Sequence, residues 1–306
     1  MDAVKMATAE NPPQILPAPN ISEELIAKCK EKNDYRHILF EYYRFVAQLC
    51  ALCSCLLYES PAWNRKRSRR SWEICAASLS RIKNLMAANL EYFQDDRYIE
   101  ATQIMDRCIF ETAAKICWIA QDQTEGRLKR YLEGSLRPDR EHRAIIQANI
   151  EERNGVRLKI EDRMLSRMDR FEQLAGLDAV STKDLRRMPD LSAILSEIGH
   201  GRGIYVAVGK VGSHAVHGNW QQLLSRNLIE QDGVLNLDFR PGTSDPSQYA
   251  LVSFFVMEAC LSFVQNCFED EGEEGFSTAF GHLVDEVTAE IQRWSRISMG
   301  DDFEIT

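Results

Sequence analysis

Ser71-Trp72-Glu73-Ile74-Cys75-Ala76-Ala77-Ser78-Leu79-Ser80-Arg81-Ile82-Lys83-Asn84-Leu85-Met86 decides the fold class. Trp72, Cys75, Leu79, Ile82, Leu85 and Met86 recur at spacings of three and four, the period of one face of an α-helix. The same pattern spreads in both directions. Toward the N-terminus, Asp34 caps an apolar run from about 35 to 58, and Ser22 caps a shorter helix before it. Pro61 ends that region, and the basic run Arg65 to Arg70 leads into the quoted stretch.

Toward the C-terminus, Asp95-Asp96 opens a helix that runs to about 122. Two more follow over 128–136 and 139–153, the second preceded by Pro138, a residue suited to a helix start. Residues 156–174 form a charged helix with Met164, Met168 and Phe171 on an apolar stripe, closed by Gly176. A helical stretch punctuated by Pro189-Asp190 ends near Gly199, and 204–228 reads as one or two helices. Helices over 247–268 and 276–297 complete the chain, separated by the acidic run Glu269 to Glu274. The strand signal is Ile229 to Leu237, where Asp232-Gly233 sits between short apolar runs as a hairpin turn does. The expected fold is all-α: a single irregular multi-helix bundle with one small β-hairpin near 229–239. Its limits are a loose proline-rich arm over 1–20, a helical domain over 21–298 and a tail over 299–306.

Composition narrows the function classes. The 306 residues carry a formal charge of −9, which argues against a generally basic nucleic-acid-binding surface. Nine cysteines, an odd number set mostly in apolar helical runs, read as reduced core thiols and place the chain in the cytoplasm. The Cys50-x-x-Cys53 spacing has no second cysteine pair at zinc distance, so it too reads as core. The first residues lack the apolar region of a secretion signal. Phe45 to Tyr58, about 14 residues, falls short of the roughly 20 needed to span a bilayer, so no membrane association is expected.

Polar groups set among apolar helices give the candidate site. Arg107 and Glu111 stand four apart on a run otherwise made of Ile104, Met105, Cys108, Ile109, Ala113 and Ile116. That spacing puts guanidinium and carboxylate on one face, as an ion pair fixing helix register or as a functional pair. Ser213 and His217 stand four apart as well, with His214 between them, as a hydroxyl–imidazole contact or a nucleophile and its base. They follow a stretch with glycines at 199, 201, 203, 209 and 212, and Gly218 follows them; such clustering implies close backbone approach, a bend or a ligand. Gly199-His200-Gly201-Arg202-Gly203 fails the dinucleotide spacing, and Gly209-Lys210 lacks the remainder of a phosphate loop. Glu197-x-x-His200 matches half of a di-iron bundle motif, but no second copy exists, so no metal or cofactor is assigned. Arg137 and His142 fall near a proline and read as an exposed loop, and Arg65 to Arg70 as a solvated one.

Arg107-x3-Glu111, the apolar Trp118-Ile119 and Tyr131, followed by Ser213-x3-His217, resemble domain-of-unknown-function family 5677, a bacterial helical family. The resemblance implies an all-helical cytoplasmic protein in which Arg107, Glu111, Ser213 and His217 converge, and it brings no activity. A more distant similarity is to the HEPN helical domains, many of them RNA-cutting toxins or defence effectors. Their pattern, an Arg followed by four to six residues and a His, occurs here at Arg137 and His142 and nowhere near His217. Two function classes result. One is a non-enzymatic interaction or regulatory component with a protein partner, within a bacterial defence or stress system by analogy. The other is a metal-independent endoribonuclease or other hydrolase using His217, with Arg107 stabilising charge, Glu111 beside it, Ser213 or His214 assisting, and RNA as partner.

Overall fold

Asp245 starts the helix around which the larger part of the chain is built. Its side chain accepts from the backbone N–H of Ser247 at 2.9 Å, and Pro246 occupies the first turn, where its missing N–H costs nothing. The computed structural model describes residues 16–59, 64–92, 98–177, 180–210, 216–240, 244–269 and 275–299. The arm expected over 1–20 and the tail over 299–306 lie almost wholly outside the described residues.

The helices are α1 (Glu23–Lys32), α2 (Arg36–Ser54), α3 (Arg69–Tyr92), α4 (Ile99–Gln121), α5 (Gly126–Glu152), α6 (Lys159–Ala175), α7 (Leu191–Glu197), α8 (Trp220–Arg226), α9 (Pro246–Cys267) and α10 (Phe276–Met299). A helical turn at Arg202–Ile204 runs into a π-helical turn at Tyr205–Lys210. Strands β1 (Asn64–Arg65) and β4 (Phe268–Glu269) pair antiparallel; β2 (Leu228–Gln231) and β3 (Val234–Leu237) form the hairpin, with Gln231 opposite Val234. The protein is all-α with a small hairpin where the Asp232-Gly233 turn predicts it. Asp232 and Gly233 both take positive φ, as a tight two-residue hairpin turn requires.

The helical region divides into two compact units, one comprising residues 1–121 with 191–306 and the other 122–190. In the first, α9 packs against α2, α4 and α10. Runs such as Phe255, Val256 and Met257 or Ser262, Phe263 and Val264 are buried together, so α9 is enclosed on all sides rather than along one stripe. By length and composition it could cross a membrane, and 67% of its apolar stretch is buried within the unit. Trp72 on α3 is fully buried against Phe263 and Phe268, with ring centroids 5.2 Å and 4.5 Å away, and its indole N–H donates to the Leu56 carbonyl at 3.1 Å. The stretch that predicts the fold thus supplies its central aromatic.

In the second unit α5 pairs with α6 through two apolar clusters, Leu136 with Ala175, Leu177 and Leu185, and Ile146 and Ile150 with Leu165 and Met168. The order of those contacts makes the helices antiparallel. The sequence predicts a break at Pro138, yet α5 runs through it. An interior proline costs about 3 kcal/mol, and buried anchors on both sides hold the helix against that penalty. Glu133 accepts from Arg186 at 2.7 Å, while Arg140 meets Glu172 at 3.2 Å and donates to the Leu177 carbonyl at 2.6 Å. Phe171, expected in the apolar stripe, lies exposed with Arg167 over its ring, while Met168 of that stripe and Leu165 are buried against α5.

Candidate functional site

Gln103, Asp106, Arg107 and Phe110 on α4 follow the i, i+3, i+4, i+7 rule for one helix face. On α9, Gln248, Leu251, Val252 and Phe255 follow the same rule. These two faces meet as the walls of a cavity of about 390 Å³, within the range of small-molecule sites. Phe110 and Phe255 touch edge to face at 4.4 Å and close it on one side. Ala207 and Val208 of the π-helical turn, with Gln221, Gln222, Ser225 and Arg226 of α8, line it from the segment between α7 and the hairpin, and Asp245 stands at the start of α9.

Of the close backbone approach, bend or ligand that the glycine clustering implies, the described glycines show the bend. Gly199 at φ +94° and Gly218 at φ +55° supply left-handed turns, the second just before Asn219 caps α8 by accepting from Gln222 N–H at 3.2 Å. A side chain added at Gly199, Gly201, Gly203 or Gly218 would meet nothing within 4 Å, so none of the four marks a close backbone approach. In place of the one or two helices expected over 204–228, the described residues hold short turns and α8. Irregular π-helical backbone of this kind recurs at functional sites.

The most perturbed group in the cavity is Asp106. Its carboxylate accepts from Asn89 Nδ2 at 2.6 Å and from Gln248 Nε2, and Asn89 Nδ2 also donates to the Tyr43 hydroxyl at 3.0 Å. Gln248 Nε2 lies 3.3 Å from Thr102 Oγ1, which fixes that amide from its other side. Burial pushes the Asp106 carboxyl up to about 7, against the opposing pull of the Gln248 and Asn89 hydrogen bonds. Sequence reading passed over Asp106, although a carboxylate beside Arg107 on an apolar helix was the available signal.

Arg107 and Glu111 pair at 2.7 Å, and Lys115 extends the ladder to Glu111 at 3.7 Å. Glu111 and Lys115 are partly solvent-exposed, so the ladder runs along the rim of the bundle rather than into its core. Arg107 lines the cavity and reaches the Val208 carbonyl at 3.5 Å; Glu111 does not line it. His217 is exposed, one residue before the Gly218 turn, and is not among the cavity-lining residues. Ser213 and His214 lie outside the described residues.

Glu197 and His200 serve separate contacts. Glu197 accepts from the Trp118 indole at 2.6 Å, whereas His200 bonds Glu258 of α9 at 2.9 Å. The Glu258 hydrogen bond raises the His200 pKa, with burial working against it. Among the described residues no three His, Cys, Asp or Glu side chains gather as a metal site would require. All nine cysteines are free thiols; Cys50 and Cys53 are buried, and Cys55 is exposed.

Two readings of basic segments need correction. Within Arg65 to Arg70, Arg67 is buried rather than solvated, donating to the Ala120 carbonyl at the end of α4 and to the Asn266 carbonyl at 3.3 Å near the end of α9. It satisfies helix-terminal carbonyls that have no intrahelical partner. Arg137 and His142 share α5 instead of a loop. Five residues along a helix turn the side chains about 140° apart, so the pair diverges. Arg137 bonds Glu141 at 3.3 Å, and His142 is exposed.

A family described as a family of unknown function (DUF5677) matches residues 73–234, just over half of the chain. The chain belongs to this family. The matched span holds most of α3, all of α4 and α8, and the hairpin's first strand and turn, so the family region supplies one cavity wall and the lining from α8. Helix α9, the other wall, lies beyond it. No curated protein and no solved structure matches the chain.

Proposed function

We propose that the protein is a ligand-responsive regulatory component, in which a small molecule held between α4 and α9 sets the state of α8. One observation carries this reading. Helix α8 turns Gln222, Ser225 and Arg226 to the cavity, while Trp220, Leu223 and Leu224 are exposed. The neighbouring hairpin adds exposed Leu235 and Leu237. Apolar side chains gathered on a surface mark a site for a protein partner. A ligand that orders the inner face of α8 orders the outer face with it, and so couples occupancy to partner binding. A role in bacterial stress or defence is carried by the resemblance to HEPN-like domains.

The ribonuclease reading has less support: Arg107 is already paired with Glu111, and His217 is absent from the cavity lining. RNA cleavage abolished by His217→Ala would reverse that preference.

The test uses indole as a flat, neutral probe, with Ala207→Trp to block the cavity. Ala207 is exposed, so the substitution leaves the core intact. Indole should raise the Tm of the wild type, slow hydrogen exchange in α8, and do neither in the variant. Equal stabilisation of both proteins, or no change in α8, would overturn the reading.

A further inference from the structure

The cavity carries two guanidiniums, Arg107 and Arg226, and two carboxylates, Asp106 and Asp245. A cationic ligand meets the two guanidiniums and an anionic ligand meets Asp245, so neither sign of charge fits the whole lining. The other polar groups include four neutral amides: Gln103, Gln221, Gln222 and Gln248.

Three of these amides are held in fixed orientations. Gln222 Nε2 donates to Glu100 Oε1 at 3.2 Å and to Gln103 Oε1 at 3.3 Å. Gln248 Nε2 donates to Asp106 and Thr102. With both N–H groups committed, Gln222 and Gln248 have a carbonyl oxygen left to offer. Gln103, whose carbonyl accepts from Gln222, has its NH₂ group left. The lining therefore offers two acceptors and one donor group, set before any ligand arrives, and Phe110 and Phe255 make part of it apolar.

We propose that the cavity binds an uncharged planar heterocycle whose edge alternates hydrogen-bond donors and acceptors, with a nucleobase, free or as its nucleoside, as the ligand class. This rests on the reading of the cavity as a ligand site. A donor on such an edge meets the Gln222 or Gln248 carbonyl and an acceptor meets the Gln103 NH₂ group, and a site built to form these bonds rejects an analogue that leaves its polar groups unpaired.

The test is calorimetric titration of the whole chain with adenosine, guanosine, cytidine and uridine, alongside benzamidine, benzoate and indole. At least one nucleoside should bind at least tenfold more tightly than benzamidine and benzoate. Gln222→Leu should weaken that nucleoside at least tenfold, while indole binding stays detectable and stays blocked by Ala207→Trp. Gln103→Leu, at a half-buried position, gives the same readout should Gln222→Leu fail to fold. Binding of benzamidine or benzoate as tight as that of every nucleoside would overturn the proposal. So would nucleoside binding unchanged in the folded Gln variant or in Ala207→Trp. Should indole bind in a manner blocked by Ala207→Trp while no nucleoside binds, the ligand class fails and the cavity reading stands. Absence of binding by all seven compounds overturns both.

Discussion

Replacing Asp106 by Asn should stabilise the protein at pH 8 and leave it nearly unchanged at pH 5. Asp106 is buried, and Tyr43 of α2, Asn89 of α3 and Gln248 of α9 surround it, with Arg107 next to it on α4. Holding its carboxyl at about 7 rather than at the ordinary 3.8 costs the ionised folded state about 4 kcal/mol. The sign follows from proton counts. Below about pH 4 both folded and unfolded chains keep the proton. Between about 4 and 7 the folded chain keeps it and the unfolded chain has released it, so stability falls as pH rises; above about 7 the loss is complete. An asparagine carries no such penalty. It has one carbonyl oxygen where the carboxylate has two, so one of the donors from Asn89 and Gln248 is left facing an NH₂ group, at about 2 kcal/mol. The difference leaves Asp106→Asn about 2 kcal/mol more stable at pH 8, a rise in Tm of about 5 °C for a unit of this size. At pH 5 the folded wild type keeps its proton and the unfolded chain has released it, so about 1.6 kcal/mol of the penalty is already present and the variant lies within about 0.5 kcal/mol of the wild type. Urea unfolding at both pH values measures this. A variant less stable than wild type at both would refute the reasoning, because it would mean that the carboxylate is ionised and satisfied in the folded state.

Three further substitutions probe other parts of the fold. Arg67→Met keeps the stem of the side chain and removes the donors to Ala120 and Asn266, so urea unfolding should show a loss of about 3 kcal/mol; a loss below about 1 would mean those carbonyls need no capping. Gly134→Ala places a methyl group 2.6 Å from the Met188 backbone nitrogen, and this overlap outweighs the gain in helix propensity, for a net loss of about 2 kcal/mol. Limited proteolysis within residues 122–190 should accelerate, and an unchanged rate would contradict the close approach. Glu258→Gln should lower the His200 pKa, measured by NMR titration of the ring protons. The wild-type contact contributes stability in full below the ordinary histidine value of 6.5 and loses it as pH rises through the folded value; an unchanged His200 titration would remove Glu258 as the cause.

Helix positions were legible in the sequence wherever an apolar period coincided with a cap. Ser22 and Gly176 mark ends of helices, and the Trp72 to Met86 stripe is the buried face of α3. The continuous α5 was not legible, because Pro138 is a local signal and the anchors that override it, Glu133 to Arg186 and Arg140 to Glu172, are distant in sequence. For the same reason Arg67 looked solvated: a run of basic residues does not reveal which member turns inward to helix-terminal carbonyls. The site was legible in one residue, Arg107, and in the segment that bears the glycines. Asp106 and the four amides it shares the cavity with on α4, α8 and α9 were hidden, because a glutamine on a helix is ordinary until its neighbours from other helices are known. His217 drew attention as a reactive residue type, and exposure at a turn is a property no spacing encodes.

Chemical-shift mapping of indole on the ¹⁵N-labelled protein tests the central claim most directly, because the two faces of α8 give different answers. The account predicts shifts at the side-chain amides of Gln103, Gln222 and Gln248 and at the backbone of Ser225 and Val252, all lost in Ala207→Trp. Shifts confined to Trp220, Leu223 and Leu224 on the exposed face, and kept in the variant, would contradict it.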